Sequence, residues 1–152
     1  MTDEGQTLHD VLQDHRNRPP NILQALLAMQ DALGYIPYDA TAVIARQLDV
    51  TEAEVAGVLS FYPDLRRRSP GRHIVRICMG ESCIANRSPR VLAALGEELR
   101  IGLKGTTSDR RFTLERVYCM GNCAVAPTVM IDDDVYGHVD ATQISSFLDQ
   151  YK

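Results

Sequence analysis

Four cysteines form two closely spaced pairs in the second half of the chain. Four residues separate Cys78 from Cys83, three separate Cys119 from Cys123, and positions 84 to 118 lie between the pairs. Thiolates at such spacings bind metals or exchange disulfides, because sulfurs a few residues apart can reach one metal site or each other. The cysteines are therefore the residues of this chain whose types and spacing point to chemistry.

Each cysteine pair follows a segment with the alternating pattern of a β-strand. Residues 73 to 77 alternate and lead into Cys78, and residues 112 to 118 alternate and lead into Cys119. If these strands are neighbours, their carboxyl ends bring the four sulfurs to one edge of a sheet. Gly80 and Gly121 lie in the loops, where glycine accepts turn dihedrals and lets N–H groups approach sulfur.

The surrounding segments predict an α/β domain. Ser88-Pro89 favours a helix start between the two strands, with Ser88 as the cap, and residues 128 to 131 predict a third strand. Asp132-Asp133-Asp134 predicts a turn, Val135-Tyr136 a fourth strand, and Asp140 the cap of a last helix. The order strand, helix, strand, strand, helix favours one parallel crossover and a terminal hairpin.

The first half of the chain predicts helices instead. Four segments with apolar residues at helical spacing each follow a residue that is expected to cap a helix. Two consecutive prolines are expected to interrupt the chain before the second of these helices. The caps are Thr7 (before Leu8, Val11 and Leu12), Asn21, Asp39 and Thr51 with Glu54, and the break is Arg18-Pro19-Pro20. Ser69-Pro70-Gly71 marks a boundary. The sequence therefore predicts an α+β protein, with a helical bundle over 1–70 and an α/β domain over 71–152.

Four kinds of cysteine site fit the residues alone. Structural zinc tolerates these spacings but most often uses two-residue gaps. Thiol–disulfide exchange favours Cys-x-x-Cys at a helix start, a form neither pair has. Four unlinked buried thiols would not explain why both pairs follow strands. A 2Fe–2S cluster with four thiolate ligands accommodates both pairs and is favoured.

Composition narrows the remaining function classes. A net charge of −4 does not favour nucleic-acid binding. The polar N-terminus lacks signal or transit character, and no apolar run is long enough to enter a membrane, so we expect a soluble cytoplasmic chain with reduced cysteines. Since no Gly-rich phosphate loop and no catalytic triad or carboxylate pair stands out, we expect no nucleotide site and no catalytic residues.

The cysteine pairs belong to an ordered set of motifs. The set runs Gly34-Tyr35-Ile36-Pro37, Ser60-Phe61-Tyr62, Cys78-x₄-Cys83, Gly105-Thr106-Thr107, Cys119-Met120-Gly121-Asn122-Cys123 and Ala126-Pro127. In this order the motifs resemble the thioredoxin-like 2Fe–2S ferredoxins that form the small subunit of NADH dehydrogenase (complex I). Related subunits are the gamma subunit of NAD-dependent formate dehydrogenases and the corresponding subunit of bidirectional hydrogenases.

The resemblance implies a helical N-terminal domain followed by a thioredoxin-like domain with a mixed sheet. It implies that Cys78, Cys83, Cys119 and Cys123 bind one 2Fe–2S cluster per chain. It further implies an electron-transfer subunit of an NAD-dependent oxidoreductase, with FMN and NAD bound by a partner flavoprotein subunit. The preferred host is NAD-dependent formate dehydrogenase, with NADH:quinone oxidoreductase or a bidirectional hydrogenase as alternatives. A zinc-stapled interaction module is the alternative from another class.

Several further residues carry expectations. Family members often have Asp-Gly where this chain has Asp109-Arg110, which predicts a different conformation or partner for that loop. Met79 and Met120 are candidates for shielding the metal centre, and Arg66-Arg67-Arg68 for a solvated link. The four histidines share no ligand spacing and are expected at the surface or with ordinary partners; they are His9, His15, His73 and His138.

Overall fold

The computed structural model describes residues 21–151, and the chain divides into two compact units. The first unit ends at Ser69 and the second begins at Pro70. Several sequence predictions lie outside the described residues: the Thr7 cap and its helix with Leu8, Val11 and Leu12, the break at Arg18-Pro19-Pro20, and the placement of His9 and His15.

From residue 21 onward, the first unit contains three helices: α1 (Ile22–Leu33), α2 (Ala40–Leu48) and α3 (Glu52–Phe61). Two of the predicted caps are confirmed as reciprocal capping boxes, Asn21 with Gln24 and Thr51 with Glu54. Asp39 precedes α2 as predicted, but its side chain makes no capping hydrogen bond. The predicted helical N-terminal part is therefore confirmed for the described residues.

The apolar faces of these helices pack together into one core. Its buried members are Ala25, Leu26, Met29, Ile36, Ala40, Ile44, Ala45, Val55 and Leu65. Arg67 is tied to this unit, because its guanidinium donates to Pro37 O (3.1 Å) and Thr41 Oγ1 (3.2 Å) and lies over the Tyr38 ring. The expectation of a solvated arginine link is therefore wrong for Arg67.

The second unit is built on a four-stranded mixed sheet in the order β2-β1-β3-β4. The strands are β1 (His73–Cys78), β2 (Phe112–Val117), β3 (Val129–Ile131) and β4 (Asp134–Tyr136). β2 runs parallel to β1, whereas β3 is antiparallel to β1 and β4 is antiparallel to β3. The predicted parallel crossover and terminal hairpin are both present.

Helices connect and follow these strands. The short α4 (Glu81–Ala85) and the longer α5 (Ser88–Leu99) lie between β1 and β2, and α6 (Ile144–Leu148) follows a 3₁₀ turn at Ala141–Gln143. One face of the sheet packs on α5 and α6, with a core of Val75, Ile77, Val91, Leu95, Leu99, Phe112, Leu114, Val129, Ile131, Val139, Ile144 and Leu148. Within residues 21–151, every helix is too short or too polar to traverse a bilayer.

One local sequence prediction in this unit needs correction. Ser88 is the predicted cap of α5, but it is the first residue of the helix, fully buried, and its hydroxyl contacts the Met79 sulfur (3.4 Å). The cap position belongs to Arg87, whose φ of 71° is left-handed. In the Asp109-Arg110 loop, Arg110 has a left-handed φ of 56°, and its guanidinium donates to Pro70 O (3.2 Å).

The turn between β3 and β4 is confirmed, and it also anchors the start of β1. Asp132 takes a left-handed φ of 52°. Its carboxylate accepts from the Ile74 N–H (2.8 Å) and contacts His73 Nδ1 (2.7 Å). His73 therefore has an ordinary partner, as expected, at the edge of the sheet opposite to the cysteines.

Candidate metal centre

The four cysteines lie at the carboxyl ends of two neighbouring parallel strands. The β1–β2 register pairs Cys78 with Val117, so the chain segments carrying both cysteine pairs leave the sheet at the same edge. Cys78 ends β1, and Cys83 lies in α4 rather than in an extended loop. Both are buried, whereas Cys119 and Cys123 are exposed, and all four are free of disulfides.

The thiols interact within each pair and across the pairs. Burial raises the pKa of Cys83, and a hydrogen bond with Cys78 adds to the effect. The neighbouring charge of Cys119 raises the pKa of Cys123, and the charge of Cys78 contributes further. Since Cys123 also acts on Cys83, the two pairs share one electrostatic neighbourhood.

The chemistry of the donor set limits what the four cysteines can bind. Among the residues that the structure describes, no three His, Cys, Asp or Glu side chains group closely enough to hold one metal ion. The donor set consists of four thiols, which as thiolates are ligands for zinc and for iron–sulfur clusters.

A close backbone approach joins the two cysteine segments. The Met79 N–H donates to Val117 O (2.7 Å), extending the parallel ladder by one step beyond Cys78. At the next residue, a Cβ on Gly80 would lie 2.4 Å from the carbonyl oxygen of Tyr118. Gly80 has an ordinary φ of −73°, so it is required here for space and not, as expected, for a turn dihedral.

Backbone N–H groups are directed at two of the sulfurs. The Gly121 N–H donates to Cys119 Sγ (3.3 Å), and Gly121 has the left-handed φ of 77° expected for a turn glycine. The backbone N–H of Thr128 hydrogen-bonds to the Cys83 sulfur and lowers the pKa of that thiol, against the larger effect of burial. Such donors stabilise negative charge on sulfur.

The buried side of the centre is apolar, with one exception. Cys78, Cys83 and Ala126 form a small cluster, against which Val117 and Met120 pack. Met120 therefore packs against the buried cysteines, whereas Met79 packs into the main core of the unit.

The exception is Thr128, which follows the cis Ala126–Pro127 peptide and is completely buried. Its hydroxyl has no hydrogen-bond partner among the described residues. From the sequence, Thr128 is predictable only as the start of a strand, since one threonine carries no signal of its own. Its position beside two cysteines becomes visible only from the pairing of β1 with β3.

Comparisons with known proteins agree with this arrangement. The family model described as thioredoxin-like [2Fe-2S] ferredoxin matches residues 8–152. A subunit of the NADH-quinone oxidoreductase of Pseudomonas aeruginosa is 38% identical over 129 residues, covering 85% of this chain and 78% of the relative. The HndA subunit of the NADP-reducing hydrogenase of Solidesulfovibrio fructosivorans is 33% identical over 131 residues, covering 86% and 77%.

A solved structure supports the same fold. The crystal structure of an NAD⁺-reducing [NiFe]-hydrogenase in the air-oxidized state superposes with a TM-score of 0.67 at 19% identity. The match covers 99% of this chain but only 24% of that longer chain. At this identity the match shows that the two share a fold.

Proposed function

The chain belongs to the thioredoxin-like [2Fe-2S] ferredoxin family, and from this premise we propose that it is the one-electron carrier subunit of an NAD-linked multisubunit oxidoreductase. Its cofactor is a 2Fe–2S cluster, as the family description states. The named relatives are subunits of an NADH-quinone oxidoreductase and of an NADP-reducing hydrogenase. This chain acts in the same general role, as an electron-transfer subunit.

The cluster ligands in this proposal are Cys78, Cys83, Cys119 and Cys123. The observation that supports them most directly is the parallel pairing of β1 and β2, which brings two segments far apart in sequence to one edge of the sheet; the thiols there also affect one another's pKa. The chain contains four cysteines in total, and a 2Fe–2S cluster bound only by thiolates needs four of them. The thiols must lose their protons to bind the cluster. Because the pKa values of Cys83 and Cys123 are raised, these thiols release protons when the cluster is loaded.

The residues around the sulfurs fit such a group. Backbone N–H donors reach Cys119 and Cys83, and Thr128, whose hydroxyl has no partner among the described residues, lies opposite Cys78 in the sheet. A 2Fe–2S cluster, when bound, supplies one-electron transfer at a potential set by charge, hydrogen bonds and exposure. The chain itself contributes the ligands, the N–H donors and an apolar wall that limits access of water to the buried pair.

The exposure of the second cysteine pair supports a proposal about the side on which an electron partner binds. Cys119 and Cys123 are exposed, and the neighbouring Tyr118 is 63% exposed. We propose that this side faces a partner flavoprotein subunit that binds FMN and NAD. The helical domain, 1–70, is proposed as the arm that docks on that complex; Tyr38 (70%) and Phe61 (77%) are its most exposed large hydrophobic side chains among the described residues.

The host complex is the finer part of the proposal. NAD-dependent formate dehydrogenase in the cytoplasm is the host favoured by the sequence, and this choice rests on resemblance. NADH-quinone oxidoreductase and an NAD(P)-linked hydrogenase are the alternatives that the named relatives favour. Purification with the native partners separates the three: formate-driven, hydrogen-driven or quinone-coupled turnover of NAD(H) identifies the host, and activity without formate dependence contradicts the first choice.

The cluster assignment is tested on the anaerobically purified chain. We expect a brown protein that contains two irons and two acid-labile sulfides per cluster and that bleaches on reduction. Cys119→Ser should lose most of this iron and sulfide, whereas Asn122→Ala in the same loop, which keeps all four sulfurs, should retain them. Full occupancy in Cys119→Ser would contradict the ligand assignment, and a colourless protein with one zinc and no sulfide would reject the cluster in favour of the zinc-stapled module.

A further inference from the structure

Thr128 carries a buried hydroxyl that the polypeptide leaves unpaired. The residue has 0% exposure, and its Oγ1 has no hydrogen-bond partner in the described part of the chain. Folded proteins pair nearly all buried polar groups, because an unpaired one keeps the full cost of losing its water. We therefore look for its hydrogen-bond partner in a bound group and not among the described residues of the chain.

The sheet places Thr128, which carries this hydroxyl, opposite Cys78. The antiparallel register pairs Ile77 with Val129, and the next step along the ladder sets Cys78 opposite Thr128. The Cys78 N–H donates to Thr128 O at 3.0 Å, which supports this pairing. Opposite residues project to the same face with Cβ atoms about 5 Å apart. Since Val129 lies in the main core, Thr128 and Cys78 share the other face.

The backbone of the same residue reaches the second buried thiol. The Thr128 N–H hydrogen-bonds to the Cys83 sulfur. Thr128 thus contacts Cys83 through its main chain and lies opposite Cys78 through its side chain. A hydroxyl in this position can rotate its hydrogen toward sulfur while keeping its methyl group in the apolar wall.

We propose that the Thr128 hydroxyl donates a hydrogen bond to a sulfur of the bound 2Fe–2S cluster, either a ligand sulfur or a bridging sulfide, and raises its reduction potential. The inference rests on the proposed function, because it needs the cluster at the four cysteines. Thr128 is a positioning and tuning residue and not a ligand. A donor at this place stabilises the reduced state more than the oxidised state, because the reduced centre carries one more negative charge.

The test compares three variants of the cluster-loaded chain in redox titrations followed by electron paramagnetic resonance. Thr128→Val removes the hydroxyl at nearly constant volume, and Thr128→Ser keeps it. The matched control is Thr113→Val, since Thr113 is also buried but its hydroxyl is paired with the Gly71 N–H (2.7 Å) and with Thr106 Oγ1 (2.8 Å).

At a fixed potential we expect Thr128→Val to lower the ratio of reduced to oxidised protein by about threefold to tenfold, tenfold being about 59 mV for a one-electron couple. Thr128→Ser and Thr113→Val should keep the wild-type ratio, and the signal shape should change only in Thr128→Val. If valine disturbs the loading of the cluster, Thr128→Ala removes the hydroxyl without putting a methyl group in its place. An unchanged potential in both Thr128→Val and Thr128→Ala would overturn the inference.

Unfolding of the cluster-free chain supplies a second readout. Without the cluster the Thr128 hydroxyl has no partner, so Thr128→Val should leave the urea midpoint unchanged or raise it. Thr113→Val should lower the midpoint, because it leaves the Gly71 N–H unpaired. A midpoint lowered in Thr128→Val as much as in Thr113→Val would show a structural hydroxyl and contradict the inference. Failure of the wild-type chain to load any cluster would instead contradict the proposed function.

Discussion

Replacing Gly80 with alanine should push the two cysteine segments apart. The backbone of Gly80 has φ −73° and ψ 161°, which alanine adopts without strain, so the cost comes from space alone. The added Cβ would lie 2.4 Å from the Tyr118 carbonyl oxygen, and that oxygen belongs to the backbone, which cannot rotate away. Ordinary contact for such atoms begins about 1 Å farther out, so one segment must move by about that distance.

The expected magnitude follows from this displacement. Forcing an extra methyl group into a filled space costs about 1–3 kcal/mol of unfolding free energy. The functional effect should be larger, because a metal site tolerates ligand displacements of only about 0.2 Å. Since Tyr118 immediately precedes Cys119, the shift acts directly on the second ligand pair, and we expect most of the iron and sulfide to be lost.

The assay measures iron, acid-labile sulfide and visible absorption after anaerobic loading, together with urea unfolding of the cluster-free chain. Gly102→Ala is the matched control, because a Cβ at Gly102 would meet nothing within 4 Å. This control should be as stable as wild type or slightly more so and should load fully. If Gly80→Ala loads and unfolds like Gly102→Ala, the close approach of the two segments does not position the ligands, and the steric reasoning is refuted.

Two further predictions concern single backbone and side-chain contacts. Gly121→Ala should cost about 1 kcal/mol, because φ is 77° and a Cβ there meets nothing within 4 Å; urea midpoints should show a smaller loss in Gly121→Asn, and equal losses would contradict the backbone argument. The Thr51 N–H, bonded to the Glu54 carboxylate, lowers the pKa of Glu54 from 4.5. That group therefore stabilises the helical unit above pH 4.5, and the stability is lost as the pH falls through the lowered value. Urea unfolding should show wild type more stable than Glu54→Gln at pH 7, with a gap that closes in acid; a gap independent of pH would exclude this role.

The elements of this protein could be predicted because their signals are local. The cap at Asn21 was predictable from the residue type at a helix start, and the reciprocal box of Thr51 with Glu54 from a pair of residues three positions apart. The strands that end at Cys78 and Val117 were predictable from alternation, and their parallel pairing from the helix between them. These features depend on sequence neighbours, which the sequence displays directly.

The details of the site could not be predicted, because they depend on residues distant in sequence. Gly80 and Gly121 look alike in the sequence of the two cysteine segments, but they are needed for different reasons. Gly121 adopts a left-handed turn, whereas Gly80 makes room for the backbone of Tyr118, 38 positions away. The Arg87 cap was missed because Ser88, the better capping residue, is drawn into the interior beside Met79. In both cases tertiary packing overrides a local preference.

The mixed topology of the sheet explains why ligands and hydrogen-bond donors meet at one edge. β2 is parallel to β1, so the carboxyl ends of both strands deliver cysteines to the same edge. β3 is antiparallel to β1, so its beginning, with Thr128, lies at that edge as well. If β3 ran parallel to β1, its first residue would lie at the opposite edge, near His73. The antiparallel strand is therefore what brings Thr128 to the buried thiol pair, and reversing this single pairing would leave Cys83 without the backbone hydrogen bond of Thr128.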